Sequence, residues 1–199
     1  SSDVCSSDLL GSNILYDTFS DSKKQIMKDP YILSVKVKKV FPSKIIIEVT
    51  EKEAMFYGKS NGNYYIIDDK GWLLQKRSNI QGMKLVNLIG FNYDKAQAGS
   101  LIATKGDRKI DILVLMASII KNYDENSKSS KIMMVDVHNV LDIRVLYENM
   151  YIKFGTTHDL KNKFNKAINI ITQPQYKNAK GYVDVSFTGS PVIYVEHQK

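Results

Sequence analysis

The residues of this chain whose types could do chemistry are few: His138, His158, His197 and the adjacent carboxylates Asp68-Asp69. A metal site on a helix needs ligands that return to one face, and no two of these histidines stand at i, i+4 or beside a carboxylate pair at ligand spacing. Asp68-Asp69 run into Lys70-Gly71, and an aspartate ahead of such a turn ordinarily accepts backbone N–H groups. No Gly-x-Ser-x-Gly, Walker-type or Gly-x-Gly-x-x-Gly stretch supplies a nucleophile elbow or a phosphate cradle. The sequence thus offers no catalytic, metal-binding or cofactor-binding set and reads as a non-enzyme.

The one cysteine, Cys5, sits in "SSDVCSSDL", which has no apolar period and no turn logic. The stretch resembles the translation of a common sequencing adapter, so residues 1–10 are expected to be non-native and inert. No cysteine follows, which removes a disulfide framework, cysteine–zinc sites and a thiol nucleophile together.

The net charge of +7 raises the possibility of nucleic acid. The excess is almost all lysine, with arginine only at Arg77, Arg108 and Arg144. Bidentate base or phosphate recognition favours arginine, so a lysine-studded solvated surface is the better reading and no nucleic-acid partner is expected. Twelve tyrosines fall mostly in strand-like runs, where aromatics pack. The longest apolar run, Ile110 to Ile120, is broken by Asp111 and falls short of the ~18 residues of a membrane span.

The elements around these residues follow from period and turn chemistry. Ser20 or Asp21 caps a short helix stopped by Pro30, and "SVKVKKV" and "KIIIEVTE" are strands parted by Phe41-Pro42-Ser43. "AMFYGK", "NYYIIDD" and "GWLLQKR" are joined by Asn-Gly and Asp-Lys-Gly turns, and "KLVNLIGF" is a further strand. Asp107 caps a helix with Leu113, Met116, Ala117 and Ile120 on one stripe. Three strands then lead to a helix over His158–Thr172, with Leu160, Phe164, Ala167, Ile168 and Ile171 on one face. "GYVDVSF" and "PVIYVE" are the closing strands, and the sum is an α+β fold with antiparallel sheet.

The run Gly11-Ser-Asn-Ile-Leu, a helix closing on Asp29-Pro30, then strand, Phe41-Pro42, strand and Glu51 resembles the later part of a POTRA domain of the FtsQ/DivIB family of bacterial division proteins. "NYYIIDDKGWLL" and the tail "YIKFG…DLKNKFNKAINII…GYVDVSFTGSPVIY" are similar to that family's following domain. Lys39 stands where the family usually has arginine. The resemblance implies a truncated POTRA remnant (α-β-β) at residues 11–53, then a mainly antiparallel β domain with two amphipathic helices at residues 54–199. By that resemblance, the family's first POTRA strand and helix, and its single N-terminal membrane helix, are expected to be absent from these residues.

It further implies a non-enzymatic scaffold of the cell membrane's outer side, binding FtsB/DivIC-type and FtsL-type single-pass division proteins. The alternative is a POTRA-bearing assembly or translocation component, which would carry tandem POTRA units or a membrane barrel. By resemblance, a partner strand adds to the strand Tyr182, Val183, Asp184, Val185, Ser186, Phe187, with Leu160 and Phe164 backing it. Tyr182, Asp184 and Ser186 are expected on one face, and Val183, Val185 and Phe187 on the other. The matching family position puts Phe187 near the contact, with a buried core role as the competing reading. If the Ser186 N–H faces the open edge, a proline there removes a ladder donor and abolishes partner binding.

Overall fold

The computed structural model describes residues 23–40, 44–127 and 131–196. Residues 1–22, the Phe41-Pro42-Ser43 break and His197 therefore lie outside the described residues, as does the Lys39 side chain. The chain forms two compact units, Ser1–Glu53 and Ala54–Lys199.

In the first unit a helical turn at 23–26 leads to the antiparallel hairpin β1 (Ile32–Val40) and β2 (Lys44–Glu51). The Asp29 carboxylate accepts the Tyr31 N–H at 2.9 Å and turns the chain into β1. Alternation puts Val35 opposite Val49 and Val37 opposite Ile47, while Lys36 faces Glu48. Val35 is buried, whereas Ile45, Ile47 and Val49 are 41%, 49% and 44% exposed, because two strands cannot cover their own apolar face.

The second unit is one nine-stranded sheet. Its strands are β3 (Ala54–Ser60), β4 (Asn63–Asp68), β5 (Leu73–Arg77), β6 (Val86–Ile89), β7 (Ile132–Asp136), β8 (Ile143–Tyr147), β9 (Met150–Gly155), β10 (Gly181–Asp184) and β11 (Val192–Val195). The spatial order is β11-β10-β9-β8-β7-β6-β3-β4-β5. Five neighbouring pairs are antiparallel, but β3/β6, β6/β7 and β9/β10 are parallel, so the sheet is mixed.

Parallel neighbours need a long crossover, and two of the three are made by helices. Helix α1 (Arg108–Ser127) links β6 to β7, and α2 (Leu160–Ile171) links β9 to β10. Asp107 starts α1 by accepting the Lys109 N–H at 2.9 Å. Leu113, Met116, Ala117 and Ile120 are buried, and so are Leu160, Phe164, Ala167, Ile168 and Ile171 of α2. Both stripes join one core with Phe56, Leu88, Val145, Ile152 and Phe154. No described helix is long and apolar enough to cross a membrane.

The carboxylates that could have been a dyad serve structure. Asp68 is buried and accepts the N–H groups of Lys70 and Trp72 at 2.9 and 2.8 Å, closing the β4–β5 turn. Asp69 instead pairs with Lys121 at 2.8 Å.

Two core tyrosines give the fold an alkaline limit. Tyr93 is buried, donates to the Leu88 carbonyl at 2.8 Å, and burial holds its phenol far above the ordinary value. Burial first, then the hydrogen-bonded Tyr123 hydroxyl 2.9 Å away, does the same to Tyr147. With folded pKa values above the unfolded ~10, both groups stabilise fully below pH ~10 and lose that contribution as pH rises further. Stability is expected to fall above pH 10, by about 1.4 kcal/mol per pH unit for Tyr93 and by less for Tyr147, whose hydroxyl is only part-buried. Urea melts at pH 9 and 11 check this, and Tyr93→Phe with Tyr147→Phe should flatten the dependence.

Candidate partner-binding edge

Strand β10 is built by alternation. Val183 and Val185, 0% and 3% exposed, point into the core that holds Leu160 and Phe164, while Tyr182 and Asp184 take the opposite face. Phe164 stacks on Phe154 at 6.3 Å and meets Tyr123 edge-on at 5.6 Å. Leu160 and Phe164 therefore sit beneath the strand as buried packing.

The edge lies one strand further out than the sequence suggested. β10 is paired on both sides: Tyr182 faces Tyr151 of β9 in a parallel ladder and Tyr194 of β11 in an antiparallel one. Val183 and Asp184 are likewise flanked by Ile152 and Lys153 on one side and Ile193 and Val192 on the other. Beyond Asp184 the Val185 N–H still bonds the Lys153 carbonyl at 2.9 Å. Ser186 leaves the ladder, because the Asp184 carboxylate accepts both its N–H, at 2.9 Å, and its hydroxyl, at 2.6 Å. The Ser186 N–H is thus engaged within its own turn and faces no open edge. With the alternation broken, Phe187 does not join Val183 and Val185 in the core and is 47% exposed.

Among the described residues of this unit, the edge strand on this side of the sheet is β11. The Glu196 N–H bonds the Lys180 carbonyl at 2.8 Å, which fixes the parity: Val192, Tyr194 and Glu196 turn their backbone groups toward β10. Those of Ile193 and Val195 then point away from the sheet. Ile193 packs its side chain partly against the core, whereas Val192 and Tyr194 are 48% and 50% exposed on the other face. Tyr194 stacks on Tyr182 at 5.4 Å, and the Lys153 ammonium lies 3.6 Å from the Tyr182 ring centre.

The opposite edge, β5, differs in kind. Leu73 exchanges hydrogen bonds with Ser100 and Gly99, each at 2.8 Å, and exposed Gln75, Lys76 and Arg77 complete the strand. Cover and charge are the usual means of blunting an edge, and Val192–Val195 has neither charge nor proline. Ile193 and Val195 were not singled out by sequence, although Pro191 at the entry of that strand is a signature of an edge position.

Comparison with known proteins agrees with this architecture. The family "POTRA domain, FtsQ-type" matches residues 6–52, and "Cell division protein FtsQ/DivIB, C-terminal" matches residues 56–186. The chain is 40% identical over 187 residues to cell division protein DivIB of Clostridium botulinum (strain Hall), covering 94% of this chain and 72% of that protein. It is 39% identical to DivIB of Clostridium acetobutylicum, with 94% and 73% covered, and 36% identical to that of Clostridium tetani, with 92% and 69% covered. With a two-part family match laid over the two structural units, and similarity to DivIB proteins across most of both chains, this chain belongs to the FtsQ/DivIB family of cell-division proteins.

Proposed function

We propose that this chain is a non-enzymatic scaffold of the division machinery that captures a partner by accepting one of its strands along β11. The observation that carries the reading is the pair of outward backbone groups at Ile193 and Val195 on an uncharged edge strand. Strand addition draws affinity from such main-chain bonds and selectivity from alternate side chains, here those beside Tyr194 on one face and Ile193 on the other. Partners of the FtsB/DivIC and FtsL type, an anchor in the cell membrane and a position on its outer side are taken from the family resemblance. The first unit is read with them as part of a POTRA module.

Ile193→Pro tests the edge selectively. It removes an N–H that β10 does not use, so the β10–β11 hairpin is retained, whereas an added strand loses a ladder donor. Calorimetry against the C-terminal segment of the FtsB/DivIC-type protein from the same genome is expected to show at least ~tenfold weaker binding, ~1.4 kcal/mol. Undiminished binding by a folded Ile193→Pro protein would place the contact elsewhere.

A further inference from the structure

Beside the start of β11 the chain forms an open cavity of about 220 Å³ between the Ser186–Pro191 loop and the first turns of α2. Val185, Phe187 and Pro191 supply apolar wall, and Thr156, Ser186 and Thr188 supply hydroxyls. Lys163 and Lys166 enter from α2, one turn apart, and His158 stands at the rim. The only carboxylate in the lining is Asp159, and the Asn162 amide already donates to it at 2.7 Å.

The two ammonium groups are held differently. Lys163 donates to the carbonyls of Phe154, at 2.9 Å, and Ser186, at 3.4 Å, which fixes a full charge against the cavity without neutralising it. Lys166 forms no ion pair with any described residue. Two cations against one hydrogen-bonded carboxylate leave the cavity positive, with an apolar wall on one side. Pro191 lines the cavity and is bonded directly to Val192, so a segment laid along β11 passes its mouth.

We infer that this cavity receives the side-chain carboxylate of an aspartate or glutamate carried by the segment that pairs with β11. The inference rests on the strand-addition reading and adds to it a chemical requirement on the partner: an acidic residue at the end of its strand that meets the start of β11. Main-chain pairing is indifferent to sequence, so a charge fixed at one end sets the register and rejects strands that lack the acid. Lys166 is a specificity determinant in this scheme, and Lys163 positions the loop while contributing field.

The test titrates the full chain with the same partner segment in three forms: native, with its acidic side chains converted to Asn or Gln, and with only its C-terminal carboxyl amidated. The protein is used as parent, Lys166→Gln, Lys166→Glu and Ile193→Pro. Lys166→Glu is expected to weaken the native segment at least ~tenfold and the Asn/Gln form hardly at all, with the salt dependence of binding reduced. Lys166→Gln should fall between parent and Lys166→Glu. If Lys166→Glu binds within ~twofold of parent while Ile193→Pro loses binding, the cavity assignment fails and the strand reading stands. If Ile193→Pro also binds normally, the strand reading fails first. If amidation alone reproduces the loss, the group recognised is the terminal carboxylate and the side-chain assignment is overturned.

Discussion

Phe164→Ala is expected to remove about 3–5 kcal/mol of stability, a large part of the 5–15 kcal/mol available to a domain. The ring is 1% exposed and stands where α2 meets the sheet, stacked on Phe154 and edge-on to Tyr123. Truncation loses both aromatic contacts and leaves a void that α2 cannot fill, being covalently fixed between β9 and β10. Urea titration should show a lower midpoint at nearly constant slope, and Phe164→Leu should recover much of the loss. A change below ~1 kcal/mol for the alanine variant would mean that the helix is not seated through this ring.

Gly181→Val should open the β10–β11 hairpin while leaving the rest of the sheet paired. Gly181 has φ of +147° and lies opposite Val195. A Cβ at this position would stand 2.0 Å from the Tyr194 carbonyl oxygen and 3.1 Å from the Val195 Cα. Both obstacles are backbone, so no change of rotamer relieves them and β11 has to move away. The expected cost is local, about 3 kcal/mol or more, read as a loss of roughly a hundredfold in exchange protection at the Tyr194 and Glu196 amides. Binding of the partner segment should fall with it, because the edge it would join is no longer held. Parental protection at Tyr194 in even the milder Gly181→Ala would contradict the close approach.

Much of this fold is written in local pattern. Asn61-Gly62, both with positive φ, turns β3 into β4, and the stripes of α1 and α2 are the residues that periodicity selects. The parallel pairings are not local. Whether β6 returns beside β3 depends on which edge is free when β5 is already placed, and no residue of β6 records that. Two of the crossovers were nonetheless within reach, since a long helix between two strands permits parallel neighbours. At the candidate site, the inward direction of Val183 and Val185 was legible because it needs only a period of two. The position of the edge was not, because "GYVDVSF" looks like one strand until the Asp184 carboxylate takes Ser186 out of it.

The strand order also has a kinetic meaning. From β7 to β11 every strand lies beside the one before it in sequence, and β3, β4 and β5 run successively in the other direction. Only the β3–β6 pairing joins strands that are not successive in the chain. Once that loop closes, each further step adds a strand to a template already formed, through short turns except where α1 and α2 make the crossovers. Such a sheet can grow outward in the order in which its residues are synthesised, with β11 last. In the proposed complex, partner capture is the next step of the same growth, supplied by another chain.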